Sequence, residues 1–131
     1  MNQFTKFLIA CLLSTLFFAC KKEKTYSSDL TGSTWAGTIK CSGIRDQQIA
    51  IECLSGNFTK VHISTTWPNG DPIAWDYDGT WYQQTNIDGW GFSWEGGTIW
   101  ASGTMDERLS HFTGTQVNSI CSGAAVKLHR Q

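Results

Sequence analysis

From Trp35 to the end of the chain, apolar residues recur at every second position rather than every third or fourth. A period of two is the repeat of a β-strand, whose successive side chains point to opposite faces. Trp35, Gly37, Ile39 and Cys41 share one face, and Ile49, Ile51 and Cys53 another. Val61, Ile63, Thr65 and Trp67 follow, then Ile73, Trp75 and Tyr77, which lead through Gly79 toward Trp81. Turn-forming residues interrupt the pattern about every eight to twelve residues, the spacing of an all-β sandwich or barrel. No sustained i, i+3, i+4 apolar stripe appears after residue 19, so little helix is expected. Two last strands near 111–117 and 124–130 bring the expected number to about eight.

Two glycine dipeptides predict register. Asp88-Gly89 is a two-residue hairpin signal. It would pair Ile87 with Trp90, Thr85 with Phe92 and Gln83 with Trp94 on one face. Gly96-Gly97 is a second such signal, pairing Trp94 with Ile99, Phe92 with Ala101 and Trp90 with Gly103. Large residues then oppose small ones, as an interdigitated core requires. The same parity turns Thr98, Trp100, Ser102 and Thr104 outward.

The chain ends suggest closure. If the last strand runs antiparallel to the first, Trp35 meets Arg130 at one end, and nearly the same register brings Cys41 to Cys121 at the other. Closure removes the exposed edges of an open sheet. Cys121 is out of phase with Val126 and Leu128, so this pairing needs a bulge or loop position there. A Cys41–Cys121 disulfide would leave Cys53 as a buried thiol; Cys41–Cys53 is the rival, being closer in sequence.

With Leu30-Thr31-Gly32-Ser33-Thr34-Trp35 at one end and Arg130 at the other, the chain resembles the calycins, which include lipocalins and avidins. Their first strand opens on Gly-x-Trp; here two residues separate Gly32 from Trp35. The resemblance implies a single small antiparallel barrel with Arg130 closing across Trp35. A β-sandwich is the alternative, and the resemblance carries over no ligand residue.

Residues 1–19 read as a secretory signal: Lys6, an apolar run over 7–18 broken at Ser14 and Thr15, and small Ala19. The run falls short of the roughly 20 apolar residues a spanning helix needs. Leu16-Phe17-Phe18-Ala19-Cys20 resembles the lipobox of bacterial lipoproteins, with Leu8-Ile9-Ala10-Cys11 as a shorter second match. That resemblance implies cleavage before Cys20, a diacylglycerol on its thiol and a further acyl chain, such as palmitate, on its amine. Two or more chains anchor stably where one does not. The expected layout is signal peptide 1–19, lipidated cysteine and polar tether 20–29, and β-barrel domain 30–131. The expected location is the cell envelope, lipid-anchored at the outer membrane.

Composition narrows function. From Leu30 onward, six Lys and Arg stand against nine Asp and Glu, a formal net of −3. A nucleic-acid binder is normally basic, so no nucleic-acid partner is expected. All seven tryptophans lie beyond Cys20. Six of them (Trp35, Trp67, Trp75, Trp81, Trp90 and Trp94) fall on faces read as inward, where they form a dry core or line a cavity. Gln83 and Thr85 share the face of Trp81, Trp90 and Trp94. A few polar groups among aromatics is how small-ligand pockets are built. Trp100, facing outward, could stack on a sugar ring or anchor a partner. His62, His111 and His129 sit at polar strand positions, and Asp76 and Asp78 share an outward face. No cysteine has metal-ligand spacing. No enzyme, cofactor or metal is therefore expected. The reading is a membrane-anchored lipoprotein whose β domain binds a small apolar or glycan ligand through Trp81, Gln83, Thr85, Trp90, Trp94 or Trp100. The alternative is a structural, accessory or inhibitor lipoprotein that docks an envelope protein and takes no small ligand.

Overall fold

The computed structural model describes residues 29–43, 45–84, 89–119 and 121–131. The strands run in chain order: β1 (Thr34–Lys40), β2 (Gln47–Cys53), β3 (Phe58–Thr66), β4 (Pro72–Gln84), β5 (Gly89–Trp94), β6 (Ile99–Met105), β7 (His111–Val117) and β8 (Ala125–Arg130). Each pairs antiparallel with the next, and β8 pairs with β1, closing the sheet into a barrel. This is the up-and-down eight-stranded architecture of the lipocalins, and not a sandwich. A single 3₁₀ turn, Ser55–Asn57, joins β2 to β3.

The closing seam has the register read from the sequence, with Trp35 opposite Arg130 and Ile39 opposite Val126. Gly37 is what lets the two strands meet. A Cβ there would lie 1.8 Å from the Lys127 carbonyl oxygen, so any side chain would push β8 off β1.

The β5–β6 hairpin also matches, with Trp94 opposite Ile99, Phe92 opposite Ala101 and Trp90 opposite Gly103. Gly96 (φ +68°) and Gly97 (φ +82°) supply the consecutive left-handed residues of a primed turn. The Thr98 N–H donates across it to the Glu95 carbonyl at 3.2 Å.

The β4–β5 register differs from expectation. Gln83 faces Trp90 rather than Trp94, and Trp81 faces Phe92. Gly89 serves as a strand residue, paired with both Gln84 and Thr104, so the connection is longer than Asp88-Gly89 alone. Longer-range pairing has overridden the local turn preference. It seats Trp81 against Trp90, ring centroids 6.1 Å apart, and links Thr80 to Ser93 by a 2.7 Å hydroxyl bond. Ile87, Asp88 and Thr85 lie outside the described residues.

The waist of the barrel is packed. Trp35, Phe92 and Phe112 are almost completely buried and touch in sequence, at 6.2 Å and then edge-on at 5.3 Å. Ile39, Ile49, Val61, Ala101, Val126 and Leu128 fill the remainder. Trp67 corrects the inward reading. β3 ends at Thr66, and Trp67 opens the following turn, whose Gly70 N–H donates to the Trp67 carbonyl. Past the last pleat, Trp67 leaves the barrel interior and is 52% exposed. Cys41 and Cys121 form the disulfide, with Cys121 in the loop before β8 as its phase demanded. Cys53 is a buried free thiol whose pKa is raised chiefly by that burial.

Candidate ligand cup at the open end

The two ends of the barrel are built differently. At the first, residues 30–33 fold beneath the strands as a stopper. Leu30 is fully buried. The Trp35 indole N–H donates to Ser33 Oγ at 2.9 Å, and backbone bonds tie Gly32 and Ser33 to Cys53. The β6–β7 loop at the same end is pinned by Asp106. Its carboxylate accepts from the backbone N–H groups of Ser110 and His111 and from the Ser110 hydroxyl. These bonds to the charged form hold its pKa well below the usual carboxylate range.

The second end, ringed by the β1–β2, β3–β4, β5–β6 and β7–β8 loops, opens into a concavity of about 470 Å³. Its walls are inward-facing residues of five strands, chiefly Ile63 on β3, Trp75 and Tyr77 on β4, Trp94 on β5, Ile99 on β6 and Gln116 on β7. Gln47, Glu95, Thr98, Asn118 and Ser119 form the polar rim, and the disulfide closes it at Cys121. Trp75, Tyr77 and Ile99 are only half-buried, whereas Trp81 and Ala101, further along the same faces of β4 and β6, are buried. That step in exposure marks where the packed waist ends and the cup begins. Burial, and then the charge of Glu95, raise the Tyr77 phenol pKa, so at neutral pH it remains a hydroxyl.

Gln116 is buried (4% exposed) and lines the cup. Its Nε2 donates to Ser119 Oγ at 2.5 Å, and its Oε1 has no partner among the described residues. Two other buried polar atoms, Thr59 Oγ1 and Trp81 Nε1, share that condition but do not line the cup.

A larger concavity, about 710 Å³, lies against the sheet of β1 to β4. Its outward residues include the small Ala36 and Ala50 beside Glu52 and the ion pairs Lys60–Asp78 (2.5 Å) and His62–Asp76 (2.7 Å). All four paired side chains are at least half exposed, so the pairs contribute little. The surface is a saddle of twisted sheet, about as open as the cup, and it differs in being lined by five acidic or basic side chains (Glu52, Lys60, His62, Asp76 and Asp78) where the described lining of the cup has only Glu95.

Of the residues singled out from sequence, Trp94 lines the cup. Trp81 and Trp90 stack together away from it, and Gln83 is exposed at the end of β4. Trp100 is half-buried on the outer face between Ser93 and Val117. Thr85 and Cys20 lie outside the described residues. Cys41 and Cys121 are joined at the rim. His111 and His129 are cross-strand partners on the outer face. Among the described residues, no three His, Cys, Asp or Glu side chains gather as a metal cluster. Sequence reasoning passed over Gln116, although its signal was visible: Phe112, Gly114 and Gln116 share the inward phase of β7, and a glutamine in that phase calls for an explanation.

No family model matches the chain, and no curated protein matches it. Among solved structures it is similar to that described as "The Siderocalin Ex-FABP functions through dual ligand specificities", at a TM-score of 0.46 and 11% identity, over 79% of this chain and 72% of that one. A likeness at that level transfers no ligand. The barrel assignment stands on the strand pairing itself.

Proposed function

We propose that this chain is a lipid-anchored binding protein of the cell envelope whose barrel takes a small, largely apolar molecule into the cup at its open end. The observation that carries this reading is the cup. Trp75, Tyr77, Trp94, Ile63 and Ile99 give it apolar walls, and its polar groups, Gln116 apart, gather at the rim. Its volume is in the range of small-molecule sites, roughly 300–1,000 Å³. The lipobox ending at Cys20 supports the anchor. The tether would join the barrel at the stoppered end, ahead of Leu30, leaving the mouth turned away from the membrane.

Filling the cup tests the binding half. Ile99→Trp places a bulky ring at the mouth, where Ile99 is only half-buried and the fold can tolerate it. The neutral dye N-phenyl-1-naphthylamine should bind the unaltered protein and lose at least about tenfold in affinity for this variant, with little change in melting temperature. Equal binding by both would move the site elsewhere. The anchor is tested by Cys20→Ser, which should shift the protein from the membrane fraction to the soluble one.

A second reading is favoured by one observation. Trp67 stands exposed on the rim loop after β3, and an exposed tryptophan beside a binding mouth suits docking against an envelope protein. Trp67→Ser would abolish such docking and leave dye binding intact.

A further inference from the structure

The charge of the cup's lining is one-sided. Glu95 stands at the rim, and none of the described lining residues is Lys, Arg or His. Arg45, in the neighbouring β1–β2 loop, is engaged elsewhere, bonding Thr66 Oγ1 at 2.8 Å and the Pro68 carbonyl. One buried polar group of the lining has the same sign. Gln116 Nε2 is held by Ser119, which leaves the carbonyl oxygen Oε1 as a buried acceptor without a partner among the described residues. Two half-buried walls, Trp75 and Tyr77, are aromatic, and an aromatic ring carries a quadrupole that is negative above its face. Trp75, Tyr77 and Trp94 take no part in the described ring contacts, which join Trp35, Phe92, Phe112, Trp81 and Trp90. A carboxylate or phosphate ligand would meet a carboxylate, a carbonyl oxygen and aromatic walls, with no cation among the described lining residues to offset its desolvation. An ammonium group would meet the same groups as attractions.

We propose that the cup selects an organic cation: an amine or quaternary ammonium group carried on an apolar body. This rests on the cup being the binding site. Trp75 and Tyr77 offer their rings to the cation, Glu95 supplies the balancing charge at the rim, and Gln116 Oε1 accepts from an N–H where the ligand has one. The apolar body fills the space toward Ile63 and Ile99.

Three probes that share a phenol and differ in the group para to it separate the two readings. They are 4-hydroxyphenyl-trimethylammonium, 4-tert-butylphenol and 4-hydroxybenzoate, titrated into the full-length protein in maltoside micelles and followed by tryptophan emission against micelles alone. The ammonium should bind at least about tenfold tighter than its neutral isostere, and the carboxylate most weakly. Glu95→Gln should shrink the ammonium's advantage severalfold and leave the tert-butyl probe unchanged. If the neutral or carboxylate probe binds as tightly as the ammonium, the cation preference is overturned while the cup stands as a binding site. If none of the three binds a protein that melts normally, the cup reading fails and the cation preference fails with it.

Discussion

The two ends of this barrel use the same kinds of residue to opposite effect. At the stoppered end, Trp35 is buried and hydrogen-bonded to Ser33, and Leu30 is buried with it in the core. At the open end, Trp75 and Tyr77 sit on the inward face of β4 and remain half-exposed around a cavity. Both sets are aromatic and inward in phase; they differ in what lies beyond them along the barrel axis. One end has been given a plug of backbone and side chain. The other has been given loops, a disulfide and a polar rim. Stability is therefore expected to concentrate at the first end and ligand recognition at the second.

The strongest test of that division is Trp35→Ala. It empties a packed site and removes the indole N–H that donates to Ser33 Oγ, so a loss of about 3–5 kcal/mol is expected in urea unfolding. Trp75→Ala, in the half-exposed position, should cost markedly less and instead weaken ligand binding. Equal stability losses would erase the distinction between plug and cup. Next in size is the cross-link. Cys121→Ser removes a bridge spanning 80 residues and should destabilise by about 2–4 kcal/mol. Because the bridge sits at the rim, hydrogen exchange should rise first in the loops around the mouth and last at residues 30–35. The smallest effect concerns Asp106. Its folded pKa is depressed, so its contribution is fully present above the unfolded carboxylate value, about pH 4, and is lost progressively as pH falls from there toward the lower folded value. Asp106→Asn should therefore lower the melting temperature slightly at neutral pH, with a difference that shrinks steadily as pH falls below about 4. A difference that grows on acidification would show that the carboxylate does not pin this loop.

Much of the architecture was legible because a barrel seam is over-determined. Trp35 with Arg130 and Cys41 with Cys121 are two independent marks of one antiparallel register, and both hold. The β4–β5 register was not legible. Asp88-Gly89 is a local preference of modest strength, and the pairing of Trp81 with Phe92 buries far more. The cup was only half legible for a geometric reason. Alternation reports which face a residue occupies and is silent on depth. Trp75 and Trp81 share one face of one strand, yet six residues at about 3.3 Å each put them roughly 20 Å apart, the first beside the mouth and the second beyond the waist. Depth follows from the stagger of all eight strands together, which no single segment encodes.

The disulfide has one further consequence. The pairing of β1 with β8 joins the two most distant parts of the domain and is the contact an open chain finds last, since the widest loop must close before anything rewards it. Once Cys41 and Cys121 are linked, that search is never repeated. A molecule that unfolds after oxidation remains a ring, with both seam strands tethered within a few residues of each other. What was the longest-range step of first folding becomes, in every later refolding, a local one.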